Sequence, residues 1–196
     1  MTFDCYGTLL DWQSAFRRLV GDPEKVEAFH KAEPEVQSEL GGVSYKAILR
    51  ECGRRVGIDG DVLVEGWATV EPFPDTVAAL TSLREGGWKL GILTNCDDDL
   101  FESTRAALGV PIDAVVTAER VGSYKPALGH FTRFEELTGV ARADWVHAAV
   151  SWYHDMIPAR ALGLRRIWVD RERTGHDPAI VTKRVSDMAS LAAYVR

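Results

Sequence analysis

The chain has 196 residues, 46% of them hydrophobic and 27% charged, which is typical of one globular domain or one domain with an insertion. Its net charge of -6 at pH 7 argues against the basic surface of a nucleic-acid-binding protein. No apolar run approaches the roughly 20 residues that cross a bilayer, which argues against a membrane protein. Three cysteines without metal-ligand spacing favour a reducing compartment, and no signal peptide precedes Phe3, so we expect a cytoplasmic protein.

The chain begins with a short stretch, Met1-Thr2-Phe3, that runs directly into the carboxylate Asp4. A buried strand usually has about five residues. Two interpretations stay open: the first strand is unusually short, or a few residues upstream of Met1 are missing from this chain. Residues 5–9 then turn the chain away from this strand.

Residues 12–70 carry helix signals but no convincing buried strand. Asp22-Pro23 and Ser44 are typical helix N-termini. We therefore predict a helical insertion over residues 12–70, with residues 71–74 as the hinge that leads back into the sheet.

After this insertion, short apolar runs alternate with helical patterns. The predicted strands are residues 88–94, 114–117, 145–151 and 166–169, and the predicted helices are residues 74–85, 98–108, 131–138 and 156–162. Such alternation is typical of a parallel sheet with helices on both faces. We therefore predict an α/β fold with a doubly wound, mostly parallel sheet in a core of residues 1–11 and 71–196.

Polar side chains follow the predicted strands: Asp4, Thr94, Lys125 and Asp155. Each of them alone has an ordinary structural explanation, such as a turn, a strand end, a solvated lysine or a helix N-cap. Ligands of open α/β sheets bind beyond the carboxyl ends of the strands. Four such residues in this order therefore favour a single site over four unrelated structural roles.

These motifs resemble those of the haloacid dehalogenase superfamily. Asp4-Cys5-Tyr6-Gly7-Thr8-Leu9 is similar to its first motif, Thr94-Asn95 to its second, Lys125-Pro126 to its third and Asp155 to its fourth. The resemblance extends over essentially the whole chain. It implies a Rossmann-like core, an aspartate nucleophile at Asp4 and a cap domain formed by residues 12–70.

The charges of the side chains suggest a role for each motif residue. Lys125 would keep the pKa of Asp4 low and offset the negative charge of the site. Thr94, with backbone amides around Tyr6 and Asn95, would bind an anionic group of the substrate. Asp155 would orient Lys125 or the hydrolytic water, or help to bind a cation.

Tyr6 stands where phosphatases of this superfamily typically have a second aspartate that protonates the leaving alkoxide. A phenol with a pKa near 10 is poorly matched to that task, whereas a departing halide needs no proton. The Tyr-Gly-Thr version resembles the 2-haloacid dehalogenase (type II) branch, which uses no metal. We therefore favour no cofactor; Mg²⁺ held by Asp4 and Asp155 belongs to the phosphatase alternative.

Three positions depart from the pattern of that branch. His30 stands where the branch usually has an arginine for the halide, Phe131 replaces a tyrosine, and Val150-Ser151-Trp152 replaces a water-positioning motif. Arg17 or Arg18 is an alternative halide ligand, although both suit a solvated helix face. The predicted substrate contacts are Tyr6, Asn95, His30, Ser151 and Trp152.

Three functions remain open from the sequence. The first is a 2-haloacid dehalogenase that forms an ester on Asp4, and the second is a magnesium-dependent phosphatase of a small metabolite, with water, His154 or the substrate as acid. The third is a binding protein that has lost catalysis, although retention of the nucleophile and of Lys125 speaks against it. We predict a small anionic substrate, no nucleic-acid or membrane partner, and a homodimer interface in the Trp- and Val-rich segment 12–70.

Overall fold

In the computed structural model, which describes residues 1–42, 44–171 and 173–195, parallel strands form one sheet in the order β3-β2-β1-β4-β5-β6. The strands are β1 (Thr2–Phe3), β2 (Gly91–Thr94), β3 (Ala114–Thr117), β4 (Val146–Ala149), β5 (Arg165–Val169) and β6 (Lys183–Val185). The strand order reverses at β1, because β2 lies on one side of it and β4 on the other. Such a reversal opens a crevice at the carboxyl ends of these strands.

Helices flank the sheet, and further helices lie in the segment between β1 and α5. They are α1 (Trp12–Val20), α2 (Pro23–Leu40), α3 (Tyr45–Val56), α4 (Gly60–Glu65), α5 (Thr76–Glu85), α6 (Asp98–Arg105), α7 (Ala118–Val121), α8 (Gly129–Thr138), α9 (Ile157–Ala161) and α10 (Met188–Tyr194). Asp22 caps α2 by accepting from two backbone amides, and Ser44 caps α3 by accepting from Ala47. Both helix starts that the sequence predicted are therefore confirmed.

The central strands are buried on both faces, as expected for a sheet that helices cover on both sides. Gly91 begins β2 and lies against Phe134 of α8. A Cβ built on Gly91 would lie 2.5 Å from the Phe134 ring and 3.1 Å from Thr2 Cγ2. Glycine at this position therefore allows α8 to pack directly on the strand.

The described residues of segment 12–70 contain helices and no strand, as the sequence predicted. Phe16 of α1, Phe29 of α2 and Trp67 are buried among these helices. The ring centroids of Phe16 lie 5.3 Å from Phe29 and 5.9 Å from Trp67, in edge-to-face contact. Truncating such an aromatic side chain to alanine costs about 3–5 kcal/mol, so these contacts hold the helices together.

The predicted α/β architecture is confirmed, whereas several boundaries differ from the prediction. The strand predicted from residue 88 begins only at Gly91, and the helix predicted from residue 156 is preceded by a π-helical turn over Trp152–Met156. Strand β6 was missed because Val185 is its one buried residue, which leaves no apolar pattern to detect. Among the residues described, no helix is both long enough and apolar enough to cross a bilayer.

Candidate active site

Four predicted site residues meet at the carboxyl end of the sheet. Asp4 directly follows β1, Asn95 directly follows β2, and Asp155 lies in the π-helical turn after β4. Because β1 pairs with both β2 and β4, these strand ends are neighbours. The loop after α7 brings Lys125 to the same place.

Lys125 joins the two carboxylates through its ammonium group. Its Nζ lies 2.9 Å from Asp4 Oδ1, 2.7 Å from Asp155 Oδ1 and 2.8 Å from the carbonyl oxygen of Leu93. The side chains of Lys125, Asp155 and Asp4 are 1%, 0% and 11% exposed. An ammonium group has three donors, so all of them are used within this buried cluster.

The two carboxylates differ in their proton affinity although they share one ammonium. Burial raises the pKa of Asp4, and the opposing effects of Lys125 and Thr8 do not cancel that rise. Burial alone would also raise the pKa of Asp155, but Lys125 and His147 together outweigh burial and lower it. Lys125 lowers the pKa of Asp4, as expected, but desolvation is the larger effect and the net shift is upward.

Thr8 fixes the second oxygen of Asp4. Its hydroxyl donates to Asp4 Oδ2 over 2.8 Å and accepts from the backbone amide of Val150 over 3.0 Å. The intervening turn needs Gly7, whose φ is +88° and whose added Cβ would lie 3.3 Å from Trp12 Nε1 and from Val150 Cγ1. The local motif thus presents Asp4 in one orientation.

His147 on β4 belongs to the same buried network, and sequence reasoning missed it. The indole nitrogen of Trp145 donates to Thr2 Oγ1 over 2.7 Å, and the same Thr2 oxygen lies 2.8 Å from His147 Nδ1. His147 Nε2 then donates to Asp155 Oδ1 over 2.9 Å. A histidine inside the apolar run of a buried strand, eight residues before Asp155, was the signal that could have revealed it.

Asn95 acts on the backbone of Lys125. Its Oδ1 accepts from the Lys125 amide over 2.7 Å, and its Nδ2 donates to the Lys125 carbonyl over 3.0 Å. Both ends of the Asn95 amide are thereby engaged in holding the lysine loop. Thr94 lies beside it, 1% exposed, with its hydroxyl 3.5 Å from Cys96 Sγ.

The hydroxyl of Tyr6 is committed to the helices that cover the site. It accepts from Trp67 Nε1 over 2.8 Å and lies 2.8 Å from Thr104 Oγ1, whose own proton goes to the Phe101 carbonyl. The Tyr6 hydroxyl also donates to the carbonyl oxygen of Leu100 over 3.3 Å. Burial raises the pKa of the Tyr6 phenol well above its ordinary value, which keeps the proton on oxygen.

The π-helical turn forms another wall of the site. Ser151 caps it by accepting from the His154 amide over 3.1 Å, and its hydroxyl lies 3.1 Å from His154 Nδ1. Trp152 stacks on His176, with ring centroids 4.7 Å apart and an interplanar angle of 12°. Burial lowers the pKa of His154, which favours a neutral imidazole.

A cavity of about 380 Å³ opens above the two carboxylates. The predicted site residues that line it are Asp4, Tyr6, Thr94, Asn95, Lys125, Ser151, Trp152 and Asp155. Helices α1, α2 and α3 contribute further lining side chains, which sequence reasoning did not identify: Trp12, Gln13, Glu33, Gln37 and Tyr45. These five belong to the helical segment, where no local motif distinguishes a lining residue from a packing residue.

His30 does not line this cavity. Its ring lies against Trp12, with centroids 4.4 Å apart, and its Nε2 is buried with no hydrogen-bond partner among the described residues. Burial and the nearby Arg17 lower its pKa to about 4, so the imidazole is neutral at pH 7. Arg17 and Arg18 are exposed on α1, and neither lines the cavity.

Comparison with known proteins agrees with this arrangement. The sequence profile of the haloacid dehalogenase-like hydrolases matches residues 1–148. The chain belongs to this family. It is a hydrolase of the haloacid dehalogenase superfamily, as its motif set predicted.

Two curated relatives of this haloacid dehalogenase-like hydrolase bear different names. Phosphatase MT3486 of Mycobacterium tuberculosis is 28% identical over 100% of this chain and 95% of the relative. The (S)-2-haloacid dehalogenase H-109 of Pseudomonas putida is 24% identical over 100% of this chain and 96% of the relative. The names of these relatives are therefore compatible with both candidate functions, a phosphatase and a 2-haloacid dehalogenase.

The fold of this family member also matches a solved structure. The L-2-haloacid dehalogenase of Xanthobacter autotrophicus with chloropropionic acid covalently bound superposes with a TM-score of 0.81. The match covers 100% of this chain and 97% of the other at 18% identity. At this identity the likeness establishes the fold alone.

Magnesium-dependent members of this superfamily raise the question of whether the site fits a cation. Among the residues that the structure describes, no cluster of three or more His, Cys, Asp or Glu side chains could hold a metal ion. Asp4 and Asp155 already direct one oxygen each at the Lys125 ammonium, and Thr8 occupies the second oxygen of Asp4. Asp155 Oδ2 is the one carboxylate oxygen of the pair without a described partner. Since Mg²⁺ requires a near-octahedral set of oxygen ligands, these residues do not fit it well.

Proposed function

We propose that this hydrolase is a 2-haloacid dehalogenase in which Asp4 is the nucleophile and residues 12–70 are a cap over a core of residues 1–11 and 71–196. The environment of Tyr6 supports this choice above all. Its hydroxyl is bound to Thr104 and Trp67, so the position two residues after Asp4 provides no acid for an alkoxide leaving group. A halide leaves without a proton.

In the first step, the Asp4 carboxylate attacks the carbon that bears the halogen. The new C–O bond forms as the carbon–halogen bond breaks, and the halide leaves with the bonding electron pair. Lys125 offsets the charge of the attacking carboxylate, and Thr8 holds its second oxygen, so the nucleophile is oriented before the substrate binds. The product of this step is an ester between the substrate and Asp4.

Trp12 is the proposed hydrogen-bond donor to the departing halide. It would take over the role of the arginine that the dehalogenase branch usually has where this chain has His30. Its indole nitrogen lies beside Gly7 in the cavity wall, and none of the described residues accepts a hydrogen bond from it. An indole N–H is a donor only. It therefore suits an anion that forms in this cavity.

In the second step, water attacks the carbonyl carbon of the Asp4 ester. Asp155 lines the cavity, and its Oδ2 atom is buried without a hydrogen-bond partner among the described residues. This oxygen can therefore accept a hydrogen bond that orients the attacking water. Cleavage of the acyl C–O bond releases the 2-hydroxyalkanoate and restores the Asp4 carboxylate. Over both steps the enzyme consumes one haloacid and one water and releases one hydroxyacid, one halide and one proton.

Chloride release from 2-chloropropanoate tests the proposal directly. We expect turnover with EDTA as well as with Mg²⁺, and its loss to background in Asp4→Asn. Asp144→Asn is the matched control, because Asp144 is an exposed aspartate that does not line the cavity. A single turnover in ¹⁸O-labelled water should label the Asp4 carboxylate, as detected by mass spectrometry of the peptide.

Phosphatase activity is the rival outcome, and the 28% identity to a relative named as a phosphatase keeps it in the test. Hydrolysis of 4-nitrophenyl phosphate only in the presence of Mg²⁺, with no chloride release, would overturn the dehalogenase proposal.

A further inference from the structure

Glu33 brings a carboxylate from the helical segment into the same cavity as Asp4 and Lys125. Its Oε1 accepts two hydrogen bonds, one of 2.6 Å from the Tyr45 hydroxyl and one of 3.1 Å from Gln37 Nε2. These donors lie on α3 and α2, so two helices fix the orientation of the carboxylate. Its Oε2 has no hydrogen-bond partner among the residues described.

The charge of the cavity makes this carboxylate unusual. Asp4, Asp155 and Glu33 are acidic, whereas Lys125 is the one lysine or arginine among the described lining residues. All three donors of Lys125 are already engaged by described acceptors. Burial raises the pKa of Glu33, with Tyr45 and Gln37 opposing the rise. A second anionic group of a substrate placed here would meet repulsion and an unsatisfied acceptor.

We infer that Glu33 Oε2 is a specificity-determining acceptor that binds a hydrogen-bond donor, a hydroxyl or an ammonium group, at the end of the substrate remote from the reacting carbon. The inference relies on the proposed dehalogenase function only for the reacting end of the substrate. It makes the substrate class a 2-haloalkanoate with a polar terminal group. The cavity volume of about 380 Å³ lies within the range of pockets for drug-sized ligands, which leaves room beyond a three-carbon acid.

Binding of halogen-free carboxylates tests the inference without any turnover. The probes are 6-hydroxyhexanoate, 6-aminohexanoate and heptanoate, which have the same chain length and differ in the terminal hydroxyl, ammonium or methyl group. Calorimetry with the wild-type protein should show about tenfold or tighter binding of a donor-bearing probe than of heptanoate, since hydrogen bonds to charged groups are the stronger ones. The two donor probes separate a neutral from a cationic terminus.

Glu33→Gln converts the acceptor into a donor. Tyr45 and Gln37 both donate, so they will hold the amide oxygen and turn the NH₂ group towards the cavity. We expect the preference for the donor-bearing probes to disappear in this variant. Glu35→Gln is the matched control, because Glu35 is exposed on the same helix and does not line the cavity.

Equal binding of all three probes by the wild-type protein would overturn the inference, as would an unchanged preference in Glu33→Gln. The comparison of the three probes on the wild-type protein tests the inference even if the Glu33→Gln variant does not fold. Chloride release from 2-chloroheptanoate and 2-chloro-6-hydroxyhexanoate provides the separate test of the reaction. A retained binding preference without chloride release from either compound would contradict the dehalogenase proposal and leave the role of Glu33 supported.

Discussion

At the residue scale, the Lys125 ammonium binds the carboxylates of Asp4 and Asp155. The other hydrogen-bond partners of each carboxylate determine how their pKa values differ. Asp4 keeps only the hydroxyl of Thr8 besides Lys125, whereas Asp155 also receives the N–H of His147. The pKa of Asp4 is therefore raised and that of Asp155 is lowered, so Asp155 is suited to act as a counter-ion of the lysine. This asymmetry suits a site in which one carboxylate reacts and the other holds charge.

Replacing His147 should disturb this asymmetry without touching the cavity lining. In His147→Leu, Asp155 Oδ1 loses a buried donor, at a cost of about 1–3 kcal/mol in the free energy of unfolding. His147→Gln can keep an N–H donor near the carboxylate and should lose less. Urea unfolding measures the stability of both variants. Equal stability of the two variants would show that the hydrogen bond is not the reason for the histidine.

At the scale of elements, the sheet and the helical segment are joined by a helix cap. Asp97, which precedes α6, accepts from the backbone amides of Tyr45 over 2.7 Å and Lys46 over 3.0 Å at the start of α3. Ser44 caps the same helix from within the segment. A buried carboxylate of the core thus binds the positive end of the α3 dipole and sets where α3 lies above the site.

Asp97→Ala should loosen the helical segment while leaving the Asp4 cluster intact. The loss of two charged hydrogen bonds at a helix N-terminus is worth about 1–3 kcal/mol. Because Tyr45 also holds Glu33, we expect KM to rise more than kcat falls. Asp59→Ala, which removes the exposed cap of α4, is the control for loss of a cap alone. A variant with the stability and KM of the wild type would refute this account of the junction.

At the scale of the whole molecule, buried neutral histidines make stability depend on pH. Burial and the nearby Lys125 lower the pKa of His130 to about 3, and its Nε2 is 3.1 Å from the Thr94 carbonyl. In the unfolded chain a histidine has a pKa of about 6.5. Below that value the unfolded state therefore binds more protons than the folded state. The free energy of unfolding is highest above about pH 6.5 and falls as the pH is lowered.

Between pH 7 and pH 5, His130 alone should cost about 2 kcal/mol in the free energy of unfolding. His30, whose pKa is lowered to about 4, acts in the same direction. His130→Gln keeps a donor for the Thr94 carbonyl but does not titrate, so its stability should fall less over this range. Urea unfolding at both pH values measures the difference. Parallel pH dependence of the two proteins would exclude His130 as the cause.

The sequence by itself determined the family, the α/β architecture and the order in which Asp4, Thr94, Lys125 and Asp155 follow the strands. These features are local, because each motif lies within a few residues and strand ends of a parallel sheet meet at one edge. The homodimer and the domain division stay predictions.

Only the tertiary structure decided what surrounds those residues. It committed the Tyr6 hydroxyl to Thr104, linked His147 to Asp155, and brought Glu33 from α2 into the cavity with Asp4. It also placed His30 behind Trp12, away from the cavity lining. The physical reason is that these contacts join segments far apart in the chain, and their hydrogen bonds form only after the helices have packed above the sheet. The motif thus marks Asp4, the proposed nucleophile, whereas packing determines the shape and lining of the cavity around it.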